Sequence, residues 1–275
     1  MILLNGKELS DKLYNLFENK EAAKLVVFTV GNDSASKVYV RNKQRACERV
    51  GIEFENVILK EDTSADEFSD IIMDKLSEDV FKLDYDDYAK YGMILQLPAP
   101  KHLVDTFNNM IPTHFDVDGF SDINFKSVMS TGTAIHLPAT PKGIMTLLHH
   151  YNIPIEGKHV VIIGRSNIVG KPLAQMMLKE NATVTICHSK TENLASITRM
   201  ADILVVAVGK PKFINDTHVK DGVVVVDVGI NRLEDGSICG DVDFDRMHIK
   251  CAAITPVPGG VGPMTVYSLI ENVLS

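Results

Sequence analysis

Helical periodicity between Ser34 and Val50 puts a lysine where an apolar residue is expected. At about 100° per residue, Lys37, Arg41, Arg45 and Glu48 share one face, a run of solvated charge. Ser36, Tyr39, Lys43, Ala46, Cys47 and Val50 share the opposite face, so Lys43 falls in the middle of the inward stripe. A lysine there either snorkels its ammonium back to water or is held in a pocket, and position alone favours snorkelling. In a pocket, lost hydration lowers the pKa and suits the amine to proton transfer.

Other polar residues stand where α/β enzymes bind ligands. Gln96 comes at the end of the apolar run Met93–Leu97, just before Pro98. Ligands of open α/β sheets bind beyond the carboxyl ends of strands. Asp116 and Asp118 lie in Asp116-Val117-Asp118-Gly119-Phe120, where Asp118 suits ligand recognition and equally suits a turn before glycine. Thr255-Pro-Val-Pro-Gly-Gly-Val-Gly-Pro-Met-Thr265 lets bare backbone approach a ligand, or is a rigid connection.

A second chemistry follows the run Val160–Ile163. In Gly164-Arg165-Ser166-Asn167-Ile168-Val169-Gly170-Lys171-Pro172 a strand enters a glycine turn and then a helix with proline in its first turn. Such a turn aims backbone N–H groups and a helix N-terminus at a pyrophosphate. Ser166 occupies the place of the second glycine of G-x-G-x-x-G, so glycine count leaves an ordinary strand-to-helix turn equally open. The next strand ends in Cys187-His188-Ser189-Lys190, without the acid that holds a ribose 2′-hydroxyl in NAD sites. Ser189 with Arg165 suits a 2′-phosphate, which favours NADP over NAD; solvated surface charge is the plainer account of Arg165 and Lys190.

These residues need strands and helices in alternation. Leu25–Val30, Val57–Leu59, Met93–Leu97, Val160–Ile163, Ala182–Ile186, Ile203–Val208 and Val223–Val228 are continuous apolar runs, the pattern of parallel strands buried on both faces. Helical patterns span 34–50, 64–78, 101–110, 141–151, 169–180 and 192–200. The alternation predicts a doubly wound α/β fold. Segment 112–140, with Pro112, Gly119, Gly132 and Pro138 and no long apolar run, is expected to hold a domain connection and a cleft. The expected domains are 1–139, joined by a returning helix at 264–275, and a Rossmann-type domain at 140–263.

The 275 residues suffice for one large or two modest cores. A net charge of −8 argues against general nucleic-acid or anionic-membrane binding, and helix 34–50 offers only Tyr39 for stacking on bases. No apolar run approaches a membrane span. Cys47, Cys187, Cys239 and Cys251 form no C-x-x-C pair and read as free thiols. Met1–Glu8 has no secretory pattern, so the cytoplasm is expected. The nine histidines show no H-E-x-x-H pattern, and no metal is expected. G-x-S-x-G and P-loop motifs are absent as well.

Taken in order, these pieces resemble the bifunctional methylenetetrahydrofolate dehydrogenase/methenyltetrahydrofolate cyclohydrolase family. The matching segments are Val30-Gly-Asn-Asp-Ser-Ala-Ser36, Tyr39-Val-Arg-Asn-Lys43, Gln96-Leu-Pro98, Asp116–Phe120, Gly164–Pro172, His188-Ser189, Asp227-Val-Gly-Ile-Asn231, Gly240-Asp-Val242 and Pro256–Thr265. The resemblance implies NADP-dependent oxidation of 5,10-methylenetetrahydrofolate, then hydrolysis of the methenyl product to 10-formyltetrahydrofolate. It further implies a homodimer and a site in a cleft between an N-terminal catalytic and a C-terminal nucleotide domain. Lys43 matches the catalytic lysine, Gln96 its hydrogen-bond partner, Tyr39 a residue lining the folate ring and Asp118 the residue at the pterin's amino edge. Ser36 is implied as a supporting partner one turn away. Gly164, Arg165, Ser166, Ser189 and Ile230 match cofactor positions, and Pro258 and Gly259 the loop near the reacting carbons.

The chain departs from the family pattern at Ala139, where a cysteine is frequent, at Ala99 in place of leucine, and at His114-Phe115 where a lysine is common. None removes a proposed catalytic group. Two rival readings are a shikimate-type dehydrogenase, which also uses lysine and aspartate, and a non-catalytic NADP-binding module, for which Lys43 is dispensable.

Overall fold

A computed structural model describes residues 1–17, 23–32, 34–79 and 90–275. Asp33, within the first matching segment, lies outside the described residues. The first part of the chain runs β1 (Ile2–Leu3), α1 (Gly6–Tyr14), β2 (Lys24–Val30), α2 (Ser34–Val50), β3 (Glu53–Leu59), α3 (Ala65–Asp79), β4 (Tyr91–Leu95), α4 (Lys101–Met110) and α5 (Asp122–Thr131). It continues with α6 (Ala139–His150), β5 (His159–Ile163), α7 (Gly170–Lys179), β6 (Thr183–Cys187), α8 (Leu194–Thr198), β7 (Ile203–Val206) and β8 (Val224–Asp227). The last elements are β9 (Asn231–Arg232), β10 (Ile238–Cys239), α9 (Phe244–Met247), β11 (Ala253–Ile254) and α10 (Val261–Leu274).

The chain divides into two compact units. One comprises Leu13–Lys126, Ala134–Ala139 and Val266–Ser275; the other comprises Met1–Lys12, Ser127–Thr133 and Thr140–Thr265. The expected boundary of 139/140 falls at one of these junctions. The first twelve residues group with the second unit because Ile2 and Leu3 pair with Ala253 and Ile254.

The first unit is built on a parallel sheet of order β3-β2-β4. Its central strand β2 is buried along Leu25–Thr29, as the unbroken apolar run requires. On one side Phe28 meets Phe68 of α3 edge-on at 5.3 Å and Phe107 of α4 at 6.0 Å. Edge strand β3 extends well before its apolar stretch Val57–Leu59. Glu53 and Glu55 are tolerated there because Lys24 pairs with both, at 3.4 and 2.9 Å, and Lys75 with Glu55 at 2.7 Å.

The second unit holds a parallel sheet of order β1-β11-β8-β7-β5-β6. Interior strands β5 and β7 are buried almost throughout, whereas the outermost strand β6 leaves Ile186 37% exposed. A short antiparallel hairpin, β9 with β10, leaves the carboxyl end of β8. Among the described residues no helix is long and apolar enough to cross a membrane.

Two expectations need correction. Segment 112–140 contains helix α5, which buries Asn124 and Val128; its apolar residues are too sparse to announce a helix. Strands β1 and β11 have no periodic signal of their own, since two-residue strands are defined only by their partners, and the short amphipathic helix α1 is not among the expected helices.

Because Phe28, Phe68 and Phe107 pack as one cluster, Phe28→Ala is expected to destabilise this unit by about 3–5 kcal/mol, read as an earlier urea midpoint for the change in aromatic signal. A loss under about 1 kcal/mol would show that the cluster does not hold the sheet to its helices.

Candidate active site

Helix α2 packs against β2 and β3, and this carries Lys43 inward. The side chain does not snorkel: Lys43 is only 8% exposed. Its Nζ donates to Gln96 Oε1 at 2.9 Å. Gln96 directly follows β4, and its backbone N–H donates to Phe28 O at 2.8 Å, which fixes its main chain to the sheet. Its Nε2 donates to Leu97 O at 2.8 Å. A carbonyl only accepts, so the amide NH2 faces Leu97 and the amide oxygen faces the lysine.

Burial pushes the Lys43 pKa below the ordinary lysine range, and the charge of Asp118 opposes it. Burial pushes half-buried Asp118 upward; the Lys43 charge pulls it down and Asp116 pushes it up again. Lysine and aspartate therefore act on one another in a poorly hydrated place. Cys47, one turn after Lys43, is pushed up to about 12 by burial, so its thiol stays protonated near neutrality and is no rival nucleophile.

Asp118 is displayed by a turn that Asp116 holds. Fully buried Asp116 accepts through Oδ1 from the N–H groups of Gly119 at 3.0 Å and Phe120 at 3.1 Å. Through Oδ2 it accepts from Ser121 N at 2.7 Å and Asn124 Nδ2 at 2.9 Å. From α10, Asn272 Nδ2 donates to Val117 O at 2.8 Å and Leu137 O at 2.9 Å. The turn-forming aspartate is thus Asp116. Tyr39, one turn before Lys43, is 38% exposed, and Ser36 is buried. Lys43, Gln96, Asp118, Tyr39 and Ser36 all belong to the first unit.

The second unit carries the glycine turn. Gly164 has φ +128°, and a Cβ there would overlap the carbonyl oxygen of Ala207; one at Gly170 would overlap that of Gly164. Strand end and helix start are therefore drawn together as closely as backbone permits, the shape that admits a pyrophosphate. Ser166, at the second-glycine position, accepts through Oγ from the N–H groups of Val169 at 3.1 Å and Gly170 at 3.4 Å, where α7 begins. Arg165, Ser166, Ser189 and Ile230 are exposed. After β6, His188 N donates to Thr191 Oγ1 at 2.8 Å and Lys190 N donates to His188 Nδ1 at 3.2 Å, giving this turn its form without a carboxylate. Pro258 is exposed, and Gly259 O accepts from Lys7 N at 2.9 Å.

Sequence reasoning assigned no role to the residues that organise these loops: Asn124, Asn272, Asp227 and Asp241, all nearly or fully buried. Their burial depends on partners far along the chain; the only local signal is an aspartate ending the apolar run Val223–Val226. Among the described residues no group of three His, Cys, Asp or Glu side chains is placed to hold a metal.

Two family models match the chain: the catalytic domain of tetrahydrofolate dehydrogenase/cyclohydrolase at residues 4–118, and its NAD(P)-binding domain at 138–275. The bifunctional protein FolD of Agathobacter rectalis is 49% identical over 266 residues, covering 96% of this chain and 92% of that protein. The crystal structure of the bifunctional FolD from Campylobacter jejuni matches with TM-score 0.88 at 42% identity, covering 100% and 97% of the two chains. The Trypanosoma brucei methylenetetrahydrofolate dehydrogenase-cyclohydrolase, complexed with NADP and inhibitor, matches with TM-score 0.89 at 29% identity, covering 99% and 96%. Shikimate 5-dehydrogenase from Thermus thermophilus, at 12% identity and TM-score 0.55 over 91% of each chain, shares the fold alone. With both family models matched in order and a relative near half identity along almost the whole length, this chain belongs to the tetrahydrofolate dehydrogenase/cyclohydrolase family.

Proposed function

We propose that the chain oxidises 5,10-methylenetetrahydrofolate with NADP and then hydrolyses the methenyl product to 10-formyltetrahydrofolate, with Lys43 as the proton-transfer group. The observation that carries this reading is the buried amine of Lys43, held by Gln96 and electrostatically opposed to Asp118. NADP, when bound, supplies the acceptor for the hydride leaving the methylene carbon. Gly164 and Ser166 are the residues to hold its pyrophosphate, Arg165 and Ser189 its 2′-phosphate, and Ile230 the nicotinamide end.

In the hydrolytic step, water attacks the methenyl carbon and one of its protons passes to the neutral Nζ of Lys43. The tetrahedral adduct then collapses: the bond from this carbon to N5 breaks, N5 takes a proton from Lys43, and the remaining hydroxyl proton leaves to solvent as the formyl group forms. Gln96 orients the amine throughout. Asp118 would take the pterin's amino edge through charge-assisted hydrogen bonds, and Tyr39 would cover the ring, with Ser36 supporting it from the same helix. Pro258 and Gly259 are assigned to the loop near the reacting carbons. A homodimer in the cytoplasm, feeding formyl groups to purine and amino-acid biosynthesis, completes the proposal; what supports pairing with a second copy is that β6 is an edge strand of its sheet.

Lys43→Met is expected to abolish methenyl hydrolysis while NADP binding stays within about twofold, measured by loss of methenyl absorbance and by cofactor titration. Undiminished hydrolysis excludes the lysine as the proton carrier. Arg165→Ala should weaken NADP about tenfold or more and NAD much less; equal weakening means that Arg165 does not read the 2′-phosphate. In Asp118→Asn the opposing charge on Lys43 is gone, so the lysine's titration should move to lower pH, and with it the acidic limb of hydrolysis, where protonation removes the neutral amine. NMR of labelled lysine reads this shift, with the Lys43 signal assigned by its disappearance in Lys43→Met. Movement to higher pH contradicts the proposed coupling.

A further inference from the structure

Asp241 takes no part in the proposed chemistry, yet it is completely buried and carries an unusual set of bonds. Its Oδ2 accepts from the backbone N–H groups of Val208 at 2.7 Å and Gly209 at 2.9 Å. Its Oδ1 accepts from Lys210 N at 2.7 Å and from Asn231 Nδ2 at 2.9 Å. One carboxylate thus holds the loop leaving β7 and the segment leaving β8.

Both tied segments border the glycine turn or its expected cofactor. Ala207, next to Val208, presents its carbonyl oxygen so closely to Gly164 that only glycine fits there. On the other side, Gly229 lies against Asp241 itself, where a Cβ would overlap the carboxylate, and Asn231 is bonded to it. Between those two contacts stands Ile230, 44% exposed. A neighbouring carboxylate keeps Asp241 in place: Asp227 accepts from Asp241 N at 2.9 Å, Val242 N at 2.9 Å and Gly229 N at 3.0 Å. Burial pushes Asp227 up to about 7 against these amides, which lessens the repulsion between the two buried aspartates.

We infer that Asp241 is a positioning residue for the nicotinamide cofactor, setting the distance between the loop that backs Gly164 and the segment that presents Ile230. The inference rests on the reading of Gly164 and Ile230 as cofactor contacts. Because both tied segments belong to the NADP-binding unit, its loss should act on cofactor binding and spare the hydrolysis of supplied methenyltetrahydrofolate, which needs no NADP.

The test is Asp241→Asn in the full-length enzyme. The amide keeps one acceptor oxygen and turns an NH2 group toward backbone donors, so one side of the tie is lost at nearly constant volume. The expected result is an NADP Kd and KM raised about tenfold or more, with kcat and NADP-free hydrolysis each within about threefold of wild type. Unchanged NADP affinity overturns the inference, and so does an equal fall in oxidation and hydrolysis, the mark of a general structural role. Asn231→Ala, which leaves the buried carboxylate and its three backbone bonds in place, keeps the inference testable should the first variant not fold. It should raise the NADP KM about threefold or more at unchanged hydrolysis; an unaltered KM counts against the tie to Ile230. If wild-type protein binds NADP and Asp241→Asn weakens it, but neither folate reaction occurs, the folate proposal fails while the positioning role stands.

Discussion

The site depends on keeping a lysine amine away from water without leaving it unpartnered. A charged ammonium loses several kcal/mol of hydration when buried, and it either neutralises or finds an opposing charge. Here both responses are present. Gln96 takes one N–H of Lys43, burial lowers the affinity of the amine for its proton, and Asp118 partly restores it. An amine balanced in this way can accept and return a proton, which neither a solvated lysine nor one locked in a strong ion pair does well. Helix α2, strand β2 and the chain after β4 together hold that balance: the phenylalanine cluster under β2 fixes the sheet, and the sheet fixes Gln96 through Phe28 O.

The same physical device recurs at the loops. In each unit a buried aspartate gathers loop backbone N–H groups that would otherwise go unsatisfied. Asp116 does so for the turn that shows Asp118; Asp241 and Asp227 do so for the loops after β7 and β8. Loops near active sites need definite shapes without a regular hydrogen-bond ladder, and a carboxylate, with two oxygens and several lone pairs, supplies acceptors to three or four donors at once. A side chain proposed to contact the cofactor, such as Ile230, can then remain at the surface while the carboxylates that hold its segment are buried.

Much of the α/β plan was legible because strands buried on both faces must be apolar throughout. Val160–Ile163 and Ile203–Val206 could scarcely be anything else. The edges were less legible: β3 carries glutamates because Lys24 and Lys75 answer them, and β1 with β11 are strands only by virtue of their neighbours. Helix α5 escaped notice because its buried positions include Asn124, a polar residue satisfied by a buried carboxylate rather than an apolar one.

By itself, the sequence determined the alternation of strands and helices, the glycine turn at Gly164, the absence of an acid after β6, and the presence of Lys43 on the inward stripe of its helix. Each is a local property, set by side-chain type and by the fixed periods of helix and strand. It did not determine whether Lys43 reaches water, because a helix stripe gives a direction and not a depth. Nor did it distinguish the aspartate that builds the turn from the one the turn displays. Tertiary structure decided both: Gln96 meets Lys43 across 53 residues of chain, Asp116 is enclosed by Asn124 and the following turn, and Asp241 holds a loop more than 30 residues away. Burial and long-range hydrogen bonds exist only after the sheets have formed, and they set the protonation of Lys43 and Asp118 and the shape of the loops around them.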